Sequence, residues 1–294
     1  MATSYAHKFG QIVGDSLEMV VESFLYDFSK ENGLYLDKKG YRKIRDGVKL
    51  SLCDINGNMH DLDFVIERDG SDEKRGTPVA FIECAWRRYT KHSRNKAQEI
   101  QGAIMPLLKK YKKDSPFIGV VLAGQFTKNS LDQLRSLGFH ILYIPYDKIC
   151  SAFKIIDIDA SFDERTSEEC FKNKINQWDK LTNADKKKLY DAIYKENCSE
   201  INNFLKELRN NIVRHISLVK IWSIYGKEYT FNNVRDAQCF LVKAENRSGE
   251  VRFLRFESKI IYSNGDSIEV SFQNHKELLA FLYKIGIDAE SSQN

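Results

Sequence analysis

Asp63 and Glu83 are the residues whose type and placement first suggest chemistry. Asp63 lies in MHDLDFVIE (59–67) and Glu83 in VAFIECAW (79–86), each within an apolar run of strand character. A charge inside VAFIECAW is costly unless something pairs with it. On one face of adjacent strands two such side chains fall about 5 Å apart. Carboxylates that close repel, and one is driven toward its protonated form unless a cation lies between them. A hard divalent cation suits oxygen ligands, and magnesium commonly takes one or two carboxylates plus phosphate oxygens. Such an ion activates water and stabilises in-line displacement at phosphorus.

Beyond Glu83 the chain turns basic. Arg87, Arg88, Lys91, Arg94, Lys96, Lys109, Lys110, Lys112 and Lys113 face one acidic residue, Glu99, a net of +8 in one segment. Such a run is either a solvated helix face or a phosphate-holding surface. Its position at the mouth of a strand-borne glutamate favours the second. Trp86 and Tyr89 pack, or stack on a base.

The elements that must position these residues can be read from periodicity. Apolar residues recur at helical spacing through 9–31, and Glu18 and Glu22 share a face of that helix. Val48 to Ile55 alternates and ends at Asn56-Gly57-Asn58, so 48–55 and 59–67 are expected to form a hairpin. Asp61, Asp63 and Val65 project to one face of the second strand. Residues 68–78 are a polar loop, and Val79 to Trp86 is the third strand. Ser93 caps a helix running to Tyr111, with Pro106 placed to kink it. FIGVVLAG (117–124) is a fully apolar central strand. A short helix over 128–137 and a strand over 139–146 follow. The order helix, strand, strand, strand, helix, strand, helix, strand predicts an α/β fold, a mixed β-sheet flanked by helices.

This order, with DLDFVIE followed by FIECA, resembles the PD-(D/E)XK nuclease superfamily, which includes many type II restriction endonucleases, junction resolvases and repair nucleases. The resemblance covers about residues 9–146. It implies a restriction-endonuclease-like core in which Asp63 and Glu83 bind Mg2+, with Glu18 or Glu22 joining from the first helix. The family's motif lysine belongs two residues after the glutamate, where this chain has Ala85. Either the site is inactive or a lysine arrives from elsewhere. Lys96, one turn into the next helix, is the first candidate and Lys91 the second. Arg87, Arg88, Lys91 and Arg94 are then expected to bind DNA.

After Tyr146 the pattern changes. An acidic connection (157–170) leads to helices over 171–181, 184–197 and 199–222, the second capped at Thr182/Asn183. The last carries a stripe of Ile201, Leu205, Leu208, Ile212 and Ile216. Strands over 250–258 and 259–272 turn at Ser263-Asn264-Gly265-Asp266, and a helix over 275–286 closes the chain. Arg247, Arg252, Arg255 and Lys259 are candidate DNA contacts there. No repeat at fixed period is evident. The division expected is a nuclease core over 1–156 and an α+β recognition or dimerisation region over 157–294.

Composition sets the limits. A chain of 294 residues buries one large core or two ordinary ones. No apolar run approaches membrane-spanning length, and the N-terminus has no secretory character. Six scattered cysteines without a Cys-x-x-Cys pair suit reduced thiols and a cytoplasmic location, and six histidines form no HExxH. Cys84 points away from Glu83 and is expected in the core. The expected activity is metal-dependent hydrolysis of double-stranded DNA by a homodimeric type II restriction enzyme. A structure-selective repair nuclease and an inert nucleic-acid-binding protein are the alternatives.

Overall fold

The computed structural model describes residues 4–291 except 113, 213–215, 224–227, 246–255 and 264–266. The chain divides into two compact units, Met1–Leu208 and Arg209–Asn294. The boundary expected at 156/157 therefore falls later, because the helices after Tyr146 pack into the first unit.

The first unit is a mixed α/β layer structure. Helix α1 (Tyr5–Glu31) is capped by Ser4, whose hydroxyl accepts the His7 N–H, and it buries Phe9, Val13, Leu17, Val21 and Phe24. It leads to β1 (Tyr35–Lys38), a small hairpin of β2 (Ser51–Cys53) and β3 (Met59–Asp61), then β4 (Phe64–Arg68) and β5 (Thr77–Arg87). Next come a 3-10 turn at Thr90–His92, α2 (Ser93–Lys110), β6 (Phe117–Gly124), α3 (Lys128–Ser136), β7 (His140–Pro145) and α4 (Tyr146–Lys154). Helices α5 (Glu168–Asp179), α6 (Asn183–Glu196) and α7 (Cys198–Ile212) follow.

The main sheet has the order β1-β4-β5-β6-β7. The β1/β4 and β4/β5 pairs are antiparallel, and β5/β6 and β6/β7 are parallel. Central β6 is buried along its whole length, as its unbroken apolar run predicts. Side chains alternate across β5. Phe81 and Ala85 face a core shared with Ala97, Ile100, Ile104 and Leu107 of α2 and with Leu131 and Leu134 of α3. Cys84 is buried on the opposite face, as expected.

Helix α4 was not expected, and two strand features also differ from the sequence expectation. The run 59–67 is not one strand. Leu62 N–H donates to the Leu50 carbonyl at 2.8 Å, holding Leu62 in the small hairpin, and the main-sheet strand begins only at Phe64. Strand β1 was not expected. It pairs with β4 (Leu36 opposite Ile66) and carries Asp37 into a buried ion-pair cluster. There the Arg42 guanidinium, 1% exposed, reaches Asp37 at 2.5 Å and Glu67 at 2.8 Å. It also donates to the Ser71 and Lys74 carbonyls, tying two loops to the sheet edge.

The second unit is an antiparallel sheet of order β11-β10-β8-β9. Its elements are β8 (Ile216–Ser223), β9 (Tyr229–Phe231), α8 (Val234–Glu245), β10 (Phe256–Tyr262), β11 (Ser267–Phe272) and α9 (His275–Ser291). The helix expected over 199–222 ends at Ile212. From Ile216 burial alternates, with Val219 and Ile221 inside, so the stripe ending at Ile216 joined a helix to a strand. Helix α8 was not expected.

The unit repeats one element order, strand-strand-helix, twice. Residues 231–243, FNNVRDAQCFLVK, resemble 272–284, FQNHKELLAFLYK, with 5 of 13 positions identical, and each segment ends a strand-strand-helix pattern. Asn233 accepts the Asp236 N–H at 2.8 Å and donates to its carboxylate at 2.8 Å. Asn274 treats Glu277 the same way, at 3.0 and 2.8 Å. Ala237 and Leu241 in one copy, and Leu278 and Leu282 in the other, fill one core. The two copies form one sheet because neither strand pair is stable alone. Among the described residues, no helix is long and apolar enough to cross a membrane.

Candidate active site

Strands β4 and β5 set Asp63 against Glu83. Phe64 pairs with Ile82, so Asp63, the residue before β4, falls opposite Glu83 on the face toward α2. The two carboxylates are locked through the backbone. Cys84 N–H donates to Asp63 Oδ2 at 2.7 Å, and Asp63 N–H donates to Glu83 Oε1 at 3.3 Å. Each side chain thus takes a backbone bond of the other strand where the ladder ends, which fixes both rotamers before any ligand arrives.

Glu83 is 6% exposed. Burial, then the neighbouring Asp63 charge, push its carboxyl up to about 8, and Lys96 opposes them. Burial also raises Asp63, against the Cys84 N–H and the charges of Lys96 and Lys39. Confinement in the cleft, followed by Asp63 and Asp15, raises Glu18, and Lys39 and Lys96 lower it. Cys84 is raised by burial first and then by the same carboxylates, so its thiol is held protonated and is no nucleophile.

Asp63 and Cys84 line a cleft of about 660 Å3 together with Asp15 and Glu18 of α1, Trp86 and Arg87 at the end of β5, and Lys96, and Glu83 lies buried behind Asp63. Lys96 lies on the first turn of α2 with its side chain 14% exposed, bonded to Glu99 at 2.8 Å. Glu22, by contrast, is ion-paired with Lys38, and it lines a second cleft. Of the two helix carboxylates, Glu18 is the one at the first cleft beside Asp63. Asp15 and Lys39 were missed. Asp15 was legible as a residue one turn before Glu18, whereas Lys39 follows the unread strand β1.

The expected DNA contacts separate. Arg87 donates to the Trp86 carbonyl at 2.8 Å and lines the cleft. Arg88 donates to the Phe162 carbonyl at 2.6 Å and lies 4.0 Å over the Tyr146 ring, which makes it a packing residue. Lys91 pairs with Glu164 at 2.9 Å. Arg94 is exposed on the first turn of α2. In the second unit Lys259 pairs with Glu269, and Arg247, Arg252 and Arg255 lie outside the described residues.

The donor set bears on a cation. Among the described residues no three His, Cys, Asp or Glu side chains converge for metal ligation. Two oxygen-donor carboxylates do adjoin, both raised by burial against the opposing charge of Lys96. That fits a hard divalent ion completed by water or phosphate, since magnesium needs only one or two protein carboxylates.

No family model matches the chain, and no curated protein does. Among solved structures, a protein of unknown function, AF1548, matches at 12% identity and a TM-score of 0.29, over 63% of this chain and 99% of that one. A score that low carries no argument about fold or function.

Proposed function

We propose that the chain is a metal-dependent DNA endonuclease of the PD-(D/E)XK kind, working as a homodimeric type II restriction enzyme in the cytoplasm. The observation that carries the proposal is half-buried Asp63 opposite buried Glu83, locked through the backbone, with Asp63 and Lys96 lining an open cleft. Asp63 and Glu83 would hold Mg2+. Bound there, the ion would supply an acidified water and stabilise charge at phosphorus. Lys96, on the following helix, takes the place that Ala85 leaves empty and offsets phosphate charge. Glu18 accepts a proton or a water hydrogen bond at the cleft floor. Arg87 and Arg94 meet the flanking backbone.

The test is incubation of plasmid and phage DNA with purified protein and magnesium. Discrete fragments support the restriction enzyme. Cleavage confined to branched DNA points to a repair or recombination nuclease. Binding without cleavage points to an inert protein that lost its lysine, which Ala85 favours.

A further inference from the structure

Asp63 stands where two clefts meet. The second, about 510 Å3, is lined by Asp15, Glu18 and Asp63 as the first is, and extends on to Lys38, Lys39 and Lys49. A site that accepts only chain ends needs a wall beyond the scissile bond, and here open volume continues past it. We infer that one nucleic-acid strand crosses the carboxylates from the first cleft into the second, and that Lys39 holds a phosphate on the far side. This rests on the nuclease proposal.

The charges of the second cleft single out Lys39. Its acids are Asp15, Glu18, Glu22, Asp61 and Asp63, and its bases are the three lysines. Lys38 is ion-paired with Glu22, and Lys49 with Asp61 at 2.6 Å. Lys39 is exposed and makes no hydrogen bond or ion pair among the described residues. It lines the second cleft together with Glu18 and Asp63. Once the site carboxylates are neutralised by a divalent ion, Lys39 is the free cation on that side. An anion passing over Asp63 meets it next. Lys39 is a positioning residue for the strand and does not touch the reacting atoms.

The experiment uses calcium, so that it reads binding independently of hydrolysis. Wild type and Lys39→Ala are titrated with duplex DNA over a series of salt concentrations. Loss of one phosphate contact lowers the slope of log affinity against log salt by about one. In parallel, photo-crosslinkers on Lys39→Cys and Arg87→Cys are mapped on the bound strand. The inference expects the reduced slope, and crosslinks on opposite sides of one phosphodiester. An unchanged slope, or crosslinks on the same side, overturns the strand path even if the enzyme cuts DNA. If both results hold while magnesium and manganese support no cleavage, the path stands and the nuclease proposal fails. Absence of DNA binding in calcium overturns both.

Discussion

Glu83→Gln tests the central claim, that a buried carboxyl at the end of β5 is poised for a cation. The Glu83 carboxyl is raised from 4.5 to about 8, chiefly by burial. The folded chain therefore binds its proton more tightly than the unfolded chain. Stability from this group is fully present below 4.5 and is lost as pH rises toward 8. Each pH unit in that window changes stability by about 1.4 kcal/mol. Asp63 shares the proton, so the pair titrates as one unit. The combined loss is about 5 kcal/mol, roughly 10–20 °C in Tm at about 2–4 °C per kcal/mol for a unit of this size. Glutamine keeps the shape and removes the titration. Metal-free Glu83→Gln should therefore melt above wild type at pH 8 and close to it at pH 5, by calorimetry in chelator. Saturating calcium should raise wild type at pH 8, by about 2.7 kcal/mol at a hundredfold excess over Kd, and leave Glu83→Gln unmoved. A flat wild-type profile, or a variant less stable than wild type at pH 8, refutes the reasoning.

Calcium should support DNA binding without cleavage and magnesium or manganese cleavage, while full activity in excess chelator, followed on a plasmid gel, would remove the metal from the mechanism. Lys96→Ala should lower the single-turnover rate by about 10²-fold or more, as loss of a preorganised charge stabiliser does. Lys91→Ala, whose partner is Glu164, should alter affinity and its salt dependence instead. Arg42→Ala leaves Glu67 buried without its cation and Asp37 with Arg45 alone, and should destabilise by about 3–5 kcal/mol in urea titrations. Gly14, inside α1, lines the first cleft with open space where a Cβ would lie. Gly14→Ala should stabilise by about 1 kcal/mol, and Gly14→Trp should fold but lose cleavage.

The mixed sheet was legible because its central strands are long and uniformly apolar. The opposed carboxylates were legible as residue types on adjacent strands. What escaped was short or locally ambiguous. Strand β1, LYLDK with its leading leucine, is too brief and polar to stand out. It closes the sheet edge with Arg42 and Arg45 neutralising Asp37, a pairing no local pattern announces. Asp63 breaks a strand that reads as continuous, since its carboxylate replaces a ladder acceptor for Cys84. The repeated element order was missed because the loops between strands differ in length. Its first copy also begins in a run, NNIVRHISLVKIW, whose apolar residues fit a helix as well as a strand. Only the tertiary environment separates the two for such a run. The caps Asn233 and Asn274, each followed three residues later by an acid, were the sequence signal that could have aligned the copies.

The basic segment that first drew attention to Glu83 acts differently from what its charge suggests. Arg88 is held by Phe162 and Tyr146, Lys91 by Glu164, and Lys110 donates to the Cys53 carbonyl at 2.6 Å, tying α2 to the small hairpin. Around the first cleft the acids Asp15, Glu18, Asp63, Asp163, Glu164 and Glu168 outnumber Arg87, Arg88 and Lys96. A polyanion approaching this surface in chelator meets net repulsion at the very point where it should be cut. A divalent ion on Asp63 and Glu83 changes that sign locally, and it takes the place of the proton that burial favours on Glu83. On this reasoning the ion is required for productive binding as well as for hydrolysis, and it binds before the DNA. Neutralising a single acid should imitate part of the effect. Glu18→Gln should bind DNA in chelator more tightly than wild type while cleaving it more slowly in magnesium. Equal or weaker binding by that variant would mean that the clefts' acidity does not govern access.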